Sequence, residues 1–425
     1  MIGAIASPTK IIEIAHSDAE SSGKTRGGTS AESLSLAVDE ALVYCTGLAG
    51  AGAILCIIDP RPFPLRDQAL AELGRRWKLS IMDRVVPNPE SKDIMAMAEA
   101  ARAGKAAAVI GIGGGSTLDS AKAVAMLLEN PGDLDEYLGP DASRKPQART
   151  IPLILIPTTT GTGSEVTRFG VYTARTGRKY TLNSPVLQAE AAILAQDLVA
   201  DLPPALVAAT GYDALTHALE TLWNKNATAL SDRLALEAAA AVLQSLEPAW
   251  QASRAAETTP ERVAALAKLQ RAATLAGIAF NKTGTAAIHA LSFILSEEWH
   301  LSHGAACAFF TQNVFDINMQ EPAVRAKFLM LAKRVYAEAG GSSASPPSDE
   351  GYLQYLRDRL VALKRLMGLP DRFCDIPGFK LANNAGEQEK IAALFDKAQN
   401  DFKLKNNPVP CTPELVRKLV LEKLQ

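Results

Sequence analysis

One stretch constrains the fold of this chain more than any other. Ala107–Ile112 (AAVIGI) is a short apolar run rich in β-branched residues, Gly113–Ser116 (GGGS) follows at once, and Thr117–Leu128 then has helical spacing. An apolar strand closed by a glycine turn that opens a helix is the unit of a parallel α/β sheet. The same grammar recurs on both sides. Ala53–Asp59 (AILCIID) reads as a buried strand, Ala69–Lys78 as a helix, Ser80–Val86 as a strand closed by Pro87–Asn88–Pro89, and Ser91–Ala103 as a helix. Ile151–Ile156 is a further strand that runs into the polar segment Pro157–Glu165. Val166–Tyr172 with Lys179–Leu182 suggests a hairpin, and Ala191–Leu194 another short strand. This alternation predicts an open, mainly parallel sheet in an α/β dinucleotide-binding domain.

The texture changes at Leu202–Pro203–Pro204, after which Ala and Leu recur at helical spacing over 205–340 and 350–366. We therefore expect two domains: α/β over 1–202, with 1–45 as an arm of uncertain fold, and an all-helical domain over 203–425. Residues 17–31 and Gly340–Asp349 are small and polar and read as loops.

Composition excludes several function classes. Of 425 residues, 44 are Lys or Arg and 46 are Asp or Glu, so the formal net charge is 44 − 46 = −2. That balance argues against a nucleic-acid binder or a polybasic membrane binder. Hydrophobic residues at 48% and charged residues at 21% are globular values. The five cysteines (Cys45, Cys56, Cys307, Cys374, Cys411) have no CxxC spacing, which speaks against a disulfide framework and for a reducing, cytoplasmic setting. No apolar run has the roughly 18–20 residues of a membrane span, and no signal peptide is visible.

Two loops suggest a nucleotide. Gly111–Lys122 (GIGGGSTLDSAK) joins a strand to a helix, where free N–H groups and the helix dipole favour a phosphate. A tight turn without a ligand is the competing reading, since the pattern is not GxGxxG. Pro157–Thr167 (PTTTGTGSEVT) leaves a second strand at the end where open sheets bind ligands; helix capping accounts for one of its hydroxyls but hardly for all. Asp59, at the end of a strand, either accepts from a ribose 2′-hydroxyl, which favours NAD over NADP, or starts an Asp-Pro turn. Asn88 either faces the cofactor or shapes its own turn.

A second constellation suggests a metal. Asp213 and His217, four apart in a helical context, share a face. His289 and His303 follow. One carboxylate and three imidazoles form a donor set that suits Fe²⁺ or Zn²⁺, whereas four separately satisfied polar residues are the bland alternative. His300 reads as peripheral and His16 as no ligand.

Together, GGGSTLDSAK, PTTTGTGSEVT, DLPPALVAATGYDALTHALE over Asp201–Glu220, and His289…His303-Gly304 resemble the iron-containing (group III) alcohol dehydrogenases, from about Ala53 to Phe310. The resemblance implies a dehydroquinate synthase-like two-domain architecture with the metal in the cleft between the domains. By position it implies Asp213, His217, His289 and His303 as metal ligands. Gly114, Gly115 and Ser116 would bind the pyrophosphate, and Asp119, Thr158, Thr159, Thr162 and Lys179 the nicotinamide and its ribose. Asp59 and Asn88 would flank the adenosine half and the phosphates. It further implies NAD(H), a divalent metal (Fe²⁺ ahead of Zn²⁺), a homodimer, and hydride transfer between a short aldehyde or alcohol and the nicotinamide. The family's HxxxH pattern is broken by Phe293, so proton transfer is expected to use ribose hydroxyls or water. The Phe-Gly-x-Gly stretch near the N-terminus is also missing, with Gly27–Ala31 in its region.

For the substrate, KTxxxxxHALSF over Lys282–Phe293 loosely resembles the phosphonoacetaldehyde-reducing branch. That suggests an anionic aldehyde held by Lys282, with Thr283 or Arg168; a solvated helix-end lysine is the competing reading. A neutral short-chain alcohol dehydrogenase, a dehydroquinate synthase-like NAD/metal lyase and a non-catalytic sensor are the alternatives.

Overall fold

The computed structural model describes residues 9–15, 30–46, 53–341, 347–380 and 385–424. His16 and Gly27–Thr29 lie outside the described residues. The chain divides into two compact units: the chain up to Pro203 together with Ala252–Thr274, and Pro204–Gln251 together with the chain from Leu275 onward.

The first unit holds β1 (Lys10–Ile14), α1 (Ser30–Thr46), β2 (Ala53–Ile58), α2 (Arg66–Arg76), β3 (Lys78–Met82), α3 (Ser91–Ala103), β4 (Ala106–Gly113), α4 (Gly115–Glu129), β5 (Leu153–Pro157), β6 (Phe169–Thr173), β7 (Lys179–Asn183) and β8 (Ala191–Ala195). Six strands form one sheet in the order β1-β8-β5-β4-β2-β3, every pair parallel. β6 and β7 form the expected antiparallel hairpin.

Strand alternation explains why the runs are apolar throughout. Ile54, Cys56, Ile58, Ile110, Ile112, Ile154 and Ile156 face one core, with Leu34 and Val38 of α1 and Ala69 and Leu73 of α2. Leu55, Ile57, Val109, Leu153 and Leu155 face the other, with Ile94 and Ala98 of α3 and Leu118 and Val124 of α4. Helices cover both faces, so no position on a central strand is left for a polar residue.

Two elements differ from expectation. β3 is Lys78–Met82, not Ser80–Val86, because its ladder with β2 runs from Ala53↔Lys78 to Ile57↔Met82 and stops there. β1 lies in the 1–45 arm, for which no strand was expected; it pairs with β8, from Lys10↔Ala191 to Ile14↔Ala195.

The second unit is built from α5 (Pro204–Trp223), α6 (Ala229–Ser253), the end of α7 (Pro260–Thr283), α8 (Ala287–Glu298), α9 (His303–Asn318), α10 (Pro322–Glu338), α11 (Asp349–Leu366), α12 (Ala385–Leu394) and α13 (Pro413–Leu424). Among the described residues, α7 is the one helix long and apolar enough to cross a membrane, and 72% of its apolar window is buried in the protein. Lys268 and Arg271 interrupt its apolar run in the sequence.

Candidate active site

The glycine turn and the Thr loop sit where the sheet's winding reverses. β2 is hydrogen-bonded to β3 on one side and β4 on the other. The helix after β2 packs on one face and the helix after β4 on the opposite face. The crevice beyond the carboxyl ends of such a strand pair is the ligand site of an open α/β sheet. Asp59 ends β2 and its N–H donates to the Ile112 carbonyl of β4 (2.9 Å), which seats it beside the glycine turn.

That turn is a fitted surface. A Cβ on Gly115 would lie 2.7 Å from Thr162 Cγ2, and one on Gly114 3.1 Å from Thr159 Cγ2. The Thr loop therefore packs directly on the turn, while the first N–H groups of α4 lie at a phosphate-attracting helix start. Asn88 is drawn in as well: its N–H donates to Ser116 Oγ (3.3 Å), and its Oδ1 accepts from Lys179 Nζ (2.8 Å). Asn88 has φ 58°, the left-handed conformation that asparagine tolerates.

Asp119, expected near the cofactor, has structural bonds of its own. Its Oδ1 accepts from Ser164 Oγ (2.6 Å) and its Oδ2 from the Val171 N–H (2.9 Å). It ties α4 to the Thr loop and to β6. Lys122, one turn on, is fully buried and donates to Ser164 Oγ (2.8 Å), Thr167 Oγ1 (3.2 Å) and the Phe169 carbonyl (2.8 Å). Burial lowers its pKa to about 8, against the opposing pull of Asp119 and Glu165. Asp59 is also engaged: its carboxylate accepts from the Arg61 backbone N–H (3.0 Å), Nε (3.2 Å) and Nη2 (2.8 Å).

The second cluster lies wholly in the helical unit. Asp213 and His217 are one turn apart on α5, His289 is in the first turn of α8 and His303 begins α9. Gly304 makes this arrangement possible. A Cβ there would lie 1.9 Å from the Ala209 carbonyl oxygen, so only glycine lets the start of α9 approach the backbone of α5 one turn before Asp213.

Three imidazole nitrogens converge on one carboxylate oxygen. Asp213 Oδ1 lies 3.5 Å from His289 Nε2, 3.7 Å from His303 Nε2 and 3.8 Å from His217 Nε2. The His217 ring stacks between Phe280 (4.1 Å) and His289 (4.6 Å). Behind His289 stands Glu220, fully buried, which accepts from the Ala286 N–H (2.7 Å), the Ile288 N–H (2.6 Å) and His289 Nδ1 (2.6 Å). With the ring proton given to Glu220, Nε2 presents a lone pair toward the lone pairs of Asp213 Oδ1. Both atoms are buried and neither has a hydrogen-bond partner among the described residues.

A positive charge between these two buried atoms satisfies both: a second proton on His289, whose pKa is raised against the pull of burial with Glu220 and Asp213 among the causes, or a metal ion that displaces it. Donors held by one ion at about 2.1 Å can stand no more than about 4.2 Å apart; the three spacings to Asp213 comply, and the donors of Asp213, His289 and His303 lie within 4.8 Å of one another in a group that does not include His217. The residues thus fit a divalent metal. In the ion-free site, burial would raise Asp213, but the positive charge of protonated His217, His303 and His289 outweighs it and holds the carboxyl well below the usual carboxylate range.

Comparisons with known proteins bear on both clusters. The family model for iron-containing alcohol dehydrogenase matches residues 38–196, and that for the C-terminal part of the Fe-containing alcohol dehydrogenase family matches 207–424. The chain belongs to the iron-containing alcohol dehydrogenase family. It is 31% identical over 365 residues to the 1-propanol dehydrogenase PduQ of Salmonella typhimurium, covering 85% of this chain and 90% of that one. It is 36% identical over 244 residues to the sulfoacetaldehyde reductase of Bilophila wadsworthia, covering 57% and 60%. The crystal structure of sulfoacetaldehyde reductase from Bifidobacterium kashiwanohense in complex with NAD⁺ superposes with a TM-score of 0.76 at 25% identity, over 98% and 97% of the two chains. Like other members of the iron-containing alcohol dehydrogenase family, the chain is an oxidoreductase with an N-terminal α/β part and a helical C-terminal part.

The other residues singled out in the sequence have surroundings of their own. Lys282 is exposed in the last turn of α7. The Thr283 hydroxyl donates to the Gly284 carbonyl (2.8 Å). The Arg168 guanidinium lies 5.7 Å from the Phe169 ring. His300 is exposed with φ 54°. Phe293 holds the broken HxxxH position, its ring 6.0 Å from that of His303 and 3.9 Å from Lys403 Nζ. Sequence reasoning passed over Glu220, although it ends the quoted DALTHALE segment, and Cys307, which joins Asp213, His289 and His303 in one group of donor atoms.

Proposed function

We propose that this protein interconverts a short alcohol and its aldehyde. NAD(H) would be held by Gly114–Ser116, the Thr loop and the Asn88–Lys179 pair. A divalent ion, Fe²⁺ or Zn²⁺, would be held by Asp213, His217, His289 and His303. The convergence of three imidazole nitrogens on the orphaned Asp213 Oδ1 carries the reading. When bound, the ion supplies Lewis acidity toward a carbonyl oxygen and the nicotinamide supplies or accepts the hydride.

The chain's own residues set the conditions. Glu220 fixes the His289 tautomer, Asp213 supplies the balancing negative charge, and Phe280 and Phe293 line the cluster with apolar surface that keeps water out. The first turn of α4 offers N–H groups to phosphate. Matches of both halves to alcohol dehydrogenase families support the dehydrogenase over a lyase.

The test is reconstitution. Protein stripped by chelator should lose NADH oxidation with propanal and regain it on anaerobic addition of Fe²⁺ or Zn²⁺. Failure of either ion to restore turnover in folded, ion-loaded protein sinks the proposal.

An anionic aldehyde is a second reading, supported by the likeness to two sulfoacetaldehyde reductases. It assigns the anion to Lys282. Lys282→Ala should then raise KM for sulfoacetaldehyde and phosphonoacetaldehyde about tenfold, the loss of one charge-assisted contact, and leave KM for propanal alone. Equal KM values in both proteins dismiss that role.

A further inference from the structure

Cys307 lies four residues after His303 on α9, so both side chains share one helix face. It is fully buried, and its Sγ stands 3.9 Å from His303 Nε2. One donor atom each from Asp213, His289, His303 and Cys307 all lie within 4.8 Å of one another. A sulfur and a nitrogen on the same ion, at about 2.3 Å and 2.1 Å, can be separated by up to about 4.4 Å. The 3.9 Å between Sγ and Nε2 is therefore a spacing that a single ion can bridge.

A buried cysteine is ordinarily a small apolar filler. Here its neighbours are polar. Asp213 Oδ1 and His289 Nε2, each on a residue more than nine-tenths buried and each lacking a hydrogen-bond partner, point into the same space. An ion shared by these two acceptors lies within reach of the Cys307 sulfur as well, because all these donor atoms belong to one cluster.

We propose that Cys307 is a direct sulfur ligand of the metal, adding a thiolate to the carboxylate and imidazole donors. Sulfur ligation favours borderline-soft ions such as Zn²⁺ and Co²⁺ over hard ions such as Mg²⁺. It also gives the site a donor that can stay on the ion or yield its place to an incoming oxygen ligand, as a catalytic site requires. The inference rests on the reading that this cluster holds the catalytic ion.

Cobalt separates the two claims. The full-length protein, stripped and loaded with Co²⁺, should show visible d–d bands together with a thiolate-to-cobalt charge-transfer band in the near ultraviolet. Cys307→Ser and Cys307→Ala should keep the d–d bands and lose the charge-transfer band, and their Zn²⁺ affinity, read by chelator competition, should fall about tenfold. Cys374→Ser, which changes an exposed cysteine, should keep both bands. Cobalt bands without charge transfer in the wild type, or an unchanged near-ultraviolet spectrum in both Cys307 variants, overturn the thiolate ligand alone. Absence of any d–d band in folded wild-type protein overturns the metal site itself. Cys307→Ser nearly conserves the side chain's size, so a spectrum from it stands even if the Ala variant misfolds.

Discussion

At the scale of single residues, the chemistry of the cluster depends on where one proton sits. Glu220 takes the Nδ1 proton of His289 while accepting two backbone N–H bonds from the start of α8. The same carboxylate therefore holds the helix start and aims the imidazole lone pair. Glu220→Gln keeps the shape and one acceptor oxygen but adds an amide donor that can bond to Nδ1. The ring proton then moves to Nε2 and blocks the lone pair. We expect metal affinity to drop by about 10–100-fold, with an unaltered circular dichroism spectrum. Equal affinity for Zn²⁺ by chelator competition in the two proteins would show that Glu220 merely caps α8.

At the scale of elements, what was legible follows the distance over which a signal acts. The strand–glycine–helix unit at Gly113–Ser116 and the Asp213–His217 pair are local patterns, and both stand out in a bare sequence. The role of Glu220 is not local, because its partners are Ala286, Ile288 and His289, more than sixty residues away. The same holds for β1, whose five residues gain their identity only by pairing with β8. Asp119 is a related case: its place after a glycine turn suggests a cofactor contact, and only the fold shows that its oxygens also accept from Ser164 and Val171. Gly304 is the clearest case of a residue whose meaning lies in another helix. Its missing side chain is what allows α9 to lie against Ala209 and carry His303 to Asp213. Gly304→Ala places a methyl 1.9 Å from a backbone oxygen that no rotamer change can move. The helices must part, at a cost of about 1–3 kcal/mol, and the Asp213–His303 spacing must open with them. Urea denaturation should report the lost stability and chelator competition a weaker site. A variant that binds Zn²⁺ as tightly as the wild type would mean that His303 is placed by other contacts.

At the scale of the whole molecule, the two clusters fall on different units. Asp213, His217, Glu220, His289, His303 and Cys307 all belong to the second unit, while Asp59, Asn88, the glycine turn, the Thr loop and Lys179 all belong to the first. Asp119 and Lys122 bond to the Thr loop within the first unit, and Glu220 bonds to α8 within the second. A ligand that binds only the folded form stabilises what it binds by about 2.7 kcal/mol at a concentration a hundredfold above its dissociation constant. For a unit of this size that corresponds to a rise of about 5–10 °C in its transition temperature. Calorimetry of the full chain should then show that Zn²⁺ at such a concentration moves the transition of the helical unit, and that NADH moves the transition of the α/β unit. Asp213→Ala identifies the first of these, since it should abolish the response to Zn²⁺ and preserve the response to NADH. If both ligands instead shift a single transition by the same amount, the units unfold as one, and the stability gained at either cluster is shared by the whole chain.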